Sequence, residues 1–269
     1  MVITSKDNPR IKQLAKLFSS RKYRRETGLF VIEGLRGCLD AIADCDNGGR
    51  IDVREVYCTE EAVSSSERAK ALINSLPDSR RFIITPEIAG RISDTGSCQG
   101  IFLTAGQIHK PFLTQALRNG GRYLVLDELQ DPGNLGTMIR TSDAVGIDGI
   151  VLAGNCVDLY NPKTVRSAVG SMPRVDIFIE NDFSAVIEGF RRRGIASAAA
   201  VVNGGTEIRE HDFSRGCAVV IGNEGRGLTD EHASLCDERV SIAMHGSIDS
   251  LNAAAAATIF LWEMTRNGR

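Results

Sequence analysis

The feature that most constrains the fold is a regular alternation of apolar segments and helical patterns in the second half of the chain. Strand-like segments cover residues 123–127, 149–153, 175–179, 195–201, 218–221 and 240–243, and helical patterns lie near 134–145, 161–171, 182–193, 229–236 and 250–266. Strands that alternate with helices form parallel βαβ units with helices on both faces of a sheet. Because ligands of such sheets bind beyond the carboxyl ends of the strands, we expect the functional pocket there.

The first half of the sequence predicts a smaller α/β domain. Helical patterns cover residues 8–18, 34–43 and 60–76, and strand-like segments cover residues 29–32, 51–58, 81–85 and 100–105. Residues 107–121 contain a Pro, a Thr and an Asn-Gly-Gly break, which favours a linker. We therefore predict one domain over residues 1–106, a linker over 107–121 and a second domain over 122–269.

Composition limits the compartment and the partners. The chain of 269 residues has a net charge of −2, so it is not a polycation as a whole. Its seven cysteines form no CxxC pair and lie near no His at zinc-ligand spacing, which predicts reduced thiols and no metal site. The N-terminus lacks an apolar signal core, and no apolar run reaches membrane-spanning length. These features predict a cytoplasmic protein with no membrane partner.

Local charge is less balanced than the total. Residues 5–25 carry eight basic side chains against Asp7 alone. Such a cluster attracts polyanions by counterion release, although a solvated helix face would have the same pattern. Lys163 and Arg166 are three residues apart and share a helix face, where they could hold phosphate or be solvated. The candidate polyanion contacts are Lys6, Arg10, Lys12, Arg21, Lys22, Arg24, Arg25, Lys163 and Arg166.

A turn with three glycines, at residues 222–227, follows the apolar strand that ends at Ile221. Glycine lets the backbone turn sharply and approach a ligand closely, since no Cβ is in the way. The turn also holds a carboxylate, Glu224, between two of its glycines. A plain strand-to-helix turn would explain the glycines, but a carboxylate in that position favours a functional turn. We call residues 222–227 the glycine turn.

Two further stretches flank the glycine turn in sequence. In the first, Asn134 is predicted to cap a helix, and Arg140 follows nearly two turns later, roughly below Asn134 on one side of that helix. In the second, Ser250 is predicted to cap the last helix and is followed by Leu251 and Asn252. Five alanines come next, and they give a narrow helix that can pack closely against another backbone. Each stretch alone could be an ordinary capped helix.

Together the three stretches resemble the motifs of the SpoU (TrmH-type) family of RNA 2′-O-ribose methyltransferases, in the SPOUT superfamily. The matching sequences, in the family's order and spacing, are Asn134-Leu135-Gly136-Thr137-Met138-Ile139-Arg140, Ile221-Gly222-Asn223-Glu224-Gly225-Arg226-Gly227 and Ser250-Leu251-Asn252. The N-terminal sequence resembles the small substrate-binding domain that many members carry, at Ile3-Thr4-Ser5, Asn8-Pro9-Arg10-Ile11-Lys12 and Phe30-Val31-Ile32-Glu33-Gly34. The resemblance therefore covers nearly the whole chain.

The resemblance implies a fold, a cofactor and a set of site residues. The fold is an α/β domain with a parallel sheet and a C-terminal trefoil knot, preceded by a small N-terminal α/β substrate-binding domain. The implied cofactor is S-adenosylmethionine, with contacts at Gly222, Ile242 and Leu251. The implied catalytic residues are Arg140, Asn134, Glu224, Ser250 and Asn252. Glu224 could pair with Arg140 or with a partner subunit.

The resemblance also implies the partners. The chain is expected to form a homodimer through the knotted domain and to act on RNA, with ribosomal RNA ahead of transfer RNA. The basic residues at positions 6–25, with Lys163 and Arg166, would then be RNA contacts.

Two other functions are weighed against this one. A dehydrogenase or methyltransferase with a Rossmann fold predicts a GxGxxG turn after an early strand, and the sequence contains no GxGxxG. A non-catalytic RNA-binding module that kept the fold would be expected to lose Arg140, Glu224 or Asn252, and all three are present.

Overall fold

The computed structural model of the chain describes residues 1–93, 98–168 and 170–266, and these form two compact units. The first unit consists of Met1–Ile108 and Asp158–Pro173, and the second of His109–Val157 and Arg174–Arg269. The end of the first long segment, at residue 108, lies close to the boundary predicted at 106. Two features were not expected: residues 109–121 belong to the second unit, and residues 158–173 belong to the first.

The helices and strands follow each other in an order close to the predicted one. Residues 1–108 contain β1 (Val2–Ile3), α1 (Pro9–Ser19), α2 (Arg21–Thr27), β2 (Leu29–Glu33), α3 (Leu35–Asp46), β3 (Val53–Cys58), α4 (Glu60–Ser64), α5 (Glu67–Ser75), β4 (Arg81–Ile84), α6 (Pro86–Ile92) and β5 (Ile101–Gly106). The later residues contain β6 (Lys110–Pro111), β7 (Arg122–Asp127), α7 (Pro132–Val145), β8 (Gly149–Ala153), α8 (Pro162–Ala168), β9 (Ile177–Glu180), α9 (Phe183–Arg192), β10 (Ala196–Val201), β11 (Thr206–Glu207), β12 (Cys217–Ile221), α10 (Asp230–Leu235), β13 (Glu238–Ser241) and α11 (Ala253–Thr265). Short 3-10 turns lie at Asp78–Arg80, Thr114–Ala116 and Met172–Arg174.

The first unit is built on a mixed sheet with the strand order β1-β4-β3-β5-β2. Strands β1, β4 and β3 are parallel to one another, and β5 runs antiparallel to both β3 and β2. Helix α1 begins after Asn8, whose side chain accepts a hydrogen bond from the Arg10 amide at 2.9 Å. Its apolar side packs in the same buried cluster as Val31, Tyr57 and Phe102 of the sheet.

Local serines explain two differences from the predicted helices of the first unit. The helix predicted over residues 60–76 is two helices, because the Ser66 side chain accepts a hydrogen bond from the Ala69 amide at 3.1 Å and starts α5 anew. Helix α2 was not predicted; the Ser20 side chain caps it by accepting a hydrogen bond from the Tyr23 amide at 3.2 Å. Both cases follow the tendency of serine to bond nearby backbone groups.

The second unit is built on a sheet with the strand order β11-β13-β10-β12-β7-β8-β9-β6, and each described pair of neighbours is parallel. Five strands, β7, β8, β9, β10 and β12, consist almost wholly of buried or half-buried residues, as parallel strands covered on both faces should. The six predicted strands are present, and their bounds agree with the predicted ones to within two residues. Strands β6 and β11 were missed because two residues are too few to leave a periodic pattern.

Helices on the two faces of this sheet fix the site's surroundings. Helices α7 and α11 pack against each other, and α11 also packs on β12 and β7. On the other side, α9 contributes Phe183, Val186 and Phe190 to a buried cluster with Val125 and Val220 of the strands. No helix among the described residues is long and apolar enough to cross a membrane. The segments after β7, β10, β12 and β13 all begin at the carboxyl edge of the sheet.

Candidate active site

The glycine turn follows β12, and its conformation depends on two local features. A Cβ added at Gly222 would lie 2.3 Å from the Gly227 carbonyl carbon, so the two ends of the turn touch and no other residue fits there. The Asn223 side-chain oxygen accepts hydrogen bonds from the amides of Gly225 and Arg226, at 2.9 and 3.3 Å. The close approach of Gly222 to Gly227 and the hydrogen bonds of Asn223 therefore both stabilise the conformation of the turn.

Glu224 links the glycine turn to the segment that follows β7. Its carboxylate accepts hydrogen bonds from the backbone amides of Gln130 and Asp131, at 3.0 and 2.8 Å, and from the Asn134 side-chain amide at 3.1 Å. Burial raises the pKa of Glu224, but these hydrogen bonds together outweigh it, and the pKa of the carboxyl lies below its ordinary value of 4.5. The charged carboxylate therefore holds residues 130–134, the segment that leads into α7, in position.

Asn134 and Asn252 extend this link to the last helix. The Asn252 side-chain amide donates a hydrogen bond to the Asn134 side-chain oxygen at 3.1 Å. One residue from each of the three predicted motifs thus takes part in a single hydrogen-bond network. We call Glu224, Asn134 and Asn252 the motif network.

Both predicted helix caps at the site were wrong, by two or three residues. Helix α7 is capped by Asp131, whose carboxylate accepts a hydrogen bond from the Asn134 amide at 2.8 Å. Helix α11 is capped by Asn252, whose side-chain oxygen accepts hydrogen bonds from the amides of Ala254 and Ala255. Asp131 is as good a capping residue as Asn134, so capping does not occupy the Asn134 side chain and leaves it to the motif network.

A cavity of about 270 Å³ lies beside the glycine turn, between the segments that follow β10, β12 and β13. The three predicted cofactor contacts, Gly222, Ile242 and Leu251, all line it, and so do Glu224 and Ser250. The remaining lining is mostly apolar or glycine backbone: Ala200, Val201, Val202, Ile221, Asn223, Gly225, Arg226, Gly227, Met244, Ala253, Ala256 and Phe260. Such a lining suits a ligand with an apolar ring and polar edges that backbone groups can bind.

Arg140 lies apart from the motif network. It is exposed on α7, and among the described residues it forms neither a hydrogen bond nor an ion pair. Six residues of helix correspond to a rotation of about 600°, so the Arg140 side chain leaves the helix about 120° away from that of Asn134. The prediction that the two side chains lie on one side of the helix was therefore wrong. Of the two alternatives for Glu224, a pair with Arg140 is not formed among the described residues; its carboxylate instead accepts hydrogen bonds from Gln130, Asp131 and Asn134.

Sequence reasoning missed Glu128 and gave Arg226 no role. Glu128 has a φ of 54°, and no other non-glycine residue among those described has a positive φ. Its carboxylate pairs with Arg226, and its carbonyl accepts hydrogen bonds from the side-chain amides of Asn223 at 3.0 Å and Gln130 at 2.9 Å. A left-handed Glu leaves no signal in a sequence, whereas an arginine inside a glycine turn could have been noted as a candidate contact.

The nine candidate polyanion contacts are of three kinds: six are exposed, two are partly buried, and Arg24 is buried. Lys6, Arg21, Arg25 and Lys163 are exposed, and Lys12 and Lys22 are exposed with ion pairs to Asp7 and Glu26. Arg10 and Arg166 are partly buried in ion pairs with Glu55 and Glu33.

Arg24 must be withdrawn from the candidate contacts. It is 4% exposed, its guanidinium binds the Asp158 carboxylate at 2.7 Å, and it donates hydrogen bonds to the carbonyls of Leu17 and Phe18. Its position at the inner side of α2 explains why a basic residue in a basic run is part of the core.

The described residues contain no group of three or more His, Cys, Asp or Glu side chains that could hold a metal ion.

Comparison with known proteins finds two family models, one matching the N-terminal part of the chain and one matching the C-terminal part. A model of the SpoU rRNA Methylase family matches residues 121–262, and a model of the MRM3-like substrate binding domain matches residues 8–103. The chain is 28% identical over 262 residues to the 23S rRNA (guanosine(2553)-2′-O)-methyltransferase RlmP of Bacillus subtilis strain 168. That alignment covers 97% of this chain and 98% of the relative.

Solved structures agree with this assignment. The SpoU methyltransferase AviRb from Streptomyces viridochromogenes, in complex with the cofactor AdoMet, superposes with a TM-score of 0.87 at 28% identity; the match covers 97% of this chain and 100% of that one. An AdoMet-bound rRNA methyltransferase from Sinorhizobium meliloti superposes with a TM-score of 0.84 at 30% identity, over 99% of this chain and 98% of that one.

Proposed function

The chain belongs to the SpoU rRNA methylase family, and we propose that it transfers the methyl group of S-adenosylmethionine to the 2′-oxygen of a ribose in ribosomal RNA. The observation that carries the proposal is the motif network beside the cavity at the glycine turn. The relatives named above support both the cofactor and the class of RNA.

The residues around the cavity fit S-adenosylmethionine. Gly222, Ile242 and Leu251 would hold it: the glycine lets backbone groups approach closely, and the two apolar side chains offer walls for a flat ring. When bound, the sulfonium supplies an electrophilic methyl group, so the protein's main task is to position the ribose. Asn134, Ser250 and Asn252 are the side chains proposed for that task.

Arg140 is proposed to act on the RNA. Arginine stays protonated in proteins, so it is a poor general base. We assign it a different role: its guanidinium binds a phosphate near the target ribose and stabilises the developing alkoxide electrostatically. Its exposed position and lack of an ion pair among the described residues leave it available for a phosphate.

Arg140→Lys tests this role. The variant keeps the charge but loses the planar fork of donors, so we expect it to lose most methyl transfer while cofactor affinity stays unchanged. Transfer of a labelled methyl group to ribosomal RNA and calorimetry with S-adenosylmethionine measure the two quantities. A parallel fall in cofactor affinity would contradict the assignment.

The class of RNA can be tested separately. Transfer RNA is the second candidate, and a non-catalytic RNA-binding role is the third. Labelled-methyl transfer on total RNA separates an enzyme from a binding protein, and mapping the 2′-O-methyl groups that a deletion strain lacks identifies the RNA. Loss of a methyl group from a transfer RNA, with ribosomal RNA unchanged, would contradict the first choice.

The exposed basic residues of the first unit are proposed to extend the RNA contact. They are Lys6, Lys12, Arg21, Lys22 and Arg25, with Lys163 as a further candidate. Rising salt should then weaken RNA binding steeply and leave cofactor binding nearly unchanged. If RNA binding and cofactor binding depended equally on salt, the proposal that the exposed basic residues contact RNA would be contradicted.

A homodimer through the second unit is proposed on the basis of α11. Trp262 is 61% exposed on this helix and Ile259 is 36% exposed, and they lie three residues apart on one face. Large apolar side chains exposed together mark an interaction surface. Trp262→Glu should convert the dimer to a monomer in light scattering, whereas Glu210→Gln, which changes the charge at another exposed position of the second unit, should not.

The trefoil knot is likewise a proposal for this chain. It is supported by the family and by five successive alanines, Ala253–Ala257, in a helix that packs on both α7 and β12. A crystal structure in which the last helix is not threaded would contradict it.

A further inference from the structure

A second cavity, of about 480 Å³, lies entirely within the first unit. Residues of α1, α2, β2, β3 and β5 and of the 3-10 turn at Asp78–Arg80 line it. Leu14 and Leu17 of α1 and Thr104 of β5 form part of its wall. The other residues that line it are Arg10, Gln13, Tyr23, Thr27, Leu29, Arg54, Glu55, Tyr57 and Arg80.

The charge of this cavity is positive. Three guanidinium groups, from Arg10, Arg54 and Arg80, line it together with one carboxylate, Glu55. Arg10 is held by that carboxylate, which also accepts a hydrogen bond from the Tyr57 hydroxyl at 2.5 Å. The guanidinium of Arg10 also lies 4.5 Å from the centroid of the Phe82 ring. Glu55 is therefore used by Arg10 and Tyr57.

The guanidinium groups of the other two arginines, Arg54 and Arg80, have N–H donors that can bind a ligand. Arg80 is exposed, and among the described residues its guanidinium donates a single hydrogen bond, a long one of 3.4 Å to the Val53 carbonyl. Within the described part of the chain, Arg54 forms an ion pair only with Asp52, and both side chains are more than half exposed. A solvent-exposed pair of this kind contributes little stability, so a phosphate can replace Asp52 at small cost. Two guanidinium forks at one cavity match the oxygens of a phosphodiester.

Tyr23 adds an aromatic surface to the same cavity. Its ring is half-buried, and the Lys16 ammonium lies 5.5 Å from the ring centroid. The cavity is also far larger than a phosphate group needs, and its apolar walls suit the remainder of a nucleotide. Unpaired RNA bases stack on aromatic side chains while arginines hold the backbone.

We propose that this cavity binds one nucleotide of an unpaired RNA segment, with its phosphodiester at Arg54 and Arg80 and its base against Tyr23. The inference rests on the proposed function, since it locates part of the RNA contact. It assigns two arginines that lie outside the basic run at residues 5–25. The sequence did not reveal them because they come from β3 and from the 3-10 turn before β4, and only the fold brings them beside α1.

The test compares two double variants that each lose two positive charges from the first unit. Arg54→Gln with Arg80→Gln changes the cavity, and Arg68→Gln with Arg91→Gln changes exposed arginines that do not line it. The probes are oligouridine and ribosomal RNA transcribed in vitro, with binding followed by fluorescence anisotropy over a range of salt concentrations. The full chain is used throughout.

The cavity variant should bind both probes at least about tenfold more weakly, because hydrogen bonds to a charged group are lost. Its dependence of log K on log salt should be shallower by about 0.7, the contribution of one phosphate on a single strand. In methyl transfer, KM for RNA should rise while kcat at saturating RNA and the cofactor affinity stay unchanged. The control variant should behave like the wild type.

Equal binding by the cavity variant and the wild type would overturn the proposal, as would an equal loss in the control variant. Tyr23→Ala provides a second test with no change of charge: it should weaken binding, and Tyr23→Phe should restore it. If the wild type binds RNA at the cavity but transfers no methyl group, the proposed function fails and the cavity assignment stands. If the wild type methylates RNA and the cavity variant has the same KM, the cavity assignment alone fails.

Discussion

The two units gather their functional residues in different ways. In the second unit, the candidate site comes from short contiguous stretches, because the ends of neighbouring parallel strands meet at one edge of the sheet. In the first unit, the basic residues are contiguous in sequence but separate in the fold: Arg24 is buried in an ion pair, whereas Arg25 is exposed. Contiguity in sequence thus indicates a shared site only where the topology brings the carboxyl ends of strands together.

The largest effect is expected at Arg24, where a predicted RNA contact is a buried cation. Arg24→Gln leaves Asp158, whose side chain is 14% exposed, without its partner, and removes donors from two buried carbonyls. Removing one member of a buried ion pair costs about 3–5 kcal/mol of unfolding free energy. Urea denaturation measures the loss. Arg25→Gln, one residue away and exposed, should change the stability by less than about 0.5 kcal/mol; equal effects would contradict the contrast between the two arginines.

The second effect is expected at Glu224, the carboxylate that connects two stretches of the second unit. Glu224→Gln keeps the shape but replaces charge-assisted hydrogen bonds to Gln130, Asp131 and Asn134 with weaker ones. We expect kcat/KM for methyl transfer to fall about 100-fold, which corresponds to about 2.7 kcal/mol. Glu231→Gln, on the exposed side of α10, is the matched control. A decrease below about threefold would mean that the motif network does not position the reacting groups.

A smaller effect is expected at Glu128, where ion pairing and backbone conformation can be separated. Glu128→Gln and Glu128→Gly both remove the ion pair with Arg226, but only glycine relieves the φ of 54°. A left-handed residue with a side chain costs about 1–2 kcal/mol. The unfolding free energy of the glycine variant, measured by urea denaturation, should therefore exceed that of the glutamine variant by about 1 kcal/mol. Equal stabilities would show that Glu128 carries no backbone strain.

The smallest effect is expected in the pH dependence of stability. The folded-state pKa of Glu224 lies below its ordinary value of 4.5, so its contribution to stability is complete above that value. As the pH falls from 4.5 through the lower folded-state pKa, the carboxyl is protonated and the contribution is lost. In this pH window the free energy of unfolding should fall less steeply with decreasing pH for Glu224→Gln than for the wild type. Identical slopes would indicate that the carboxylate is not stabilised by its hydrogen bonds.

The order of the elements could be predicted because long periodic segments dominate both units. The caps of α7 and α11 could not be placed, since each helix start offers two good capping residues and the choice depends on tertiary partners. At α7 those partners are Glu224 and Asn252, which engage the Asn134 side chain and so favour Asp131 as the cap. Local sequence contains no information about a bond to a residue 90 positions away.

The site residues show the same limit. Gly222, Ile242 and Leu251 were predicted from the family resemblance, and all three line one cavity. Glu128 could not be predicted, because its role follows from a backbone angle and from an ion pair with Arg226, in another part of the chain. Similarly, Arg24 and Arg25 are indistinguishable in a basic run; only the packing of α2 decides which one points inwards.

The membership of residues 158–173 in the first unit has a practical consequence for anyone who wishes to excise that unit. A fragment ending at Ile108 would retain the cation of Arg24 and lack its counterion, Asp158. Such a fragment should be poorly folded on its own, and adding the missing peptide in trans, or grafting it by a short tether, should rescue it. A truncation at Ile108 that no longer binds RNA would therefore have lost its fold, and the result could be mistaken for the removal of RNA-binding residues.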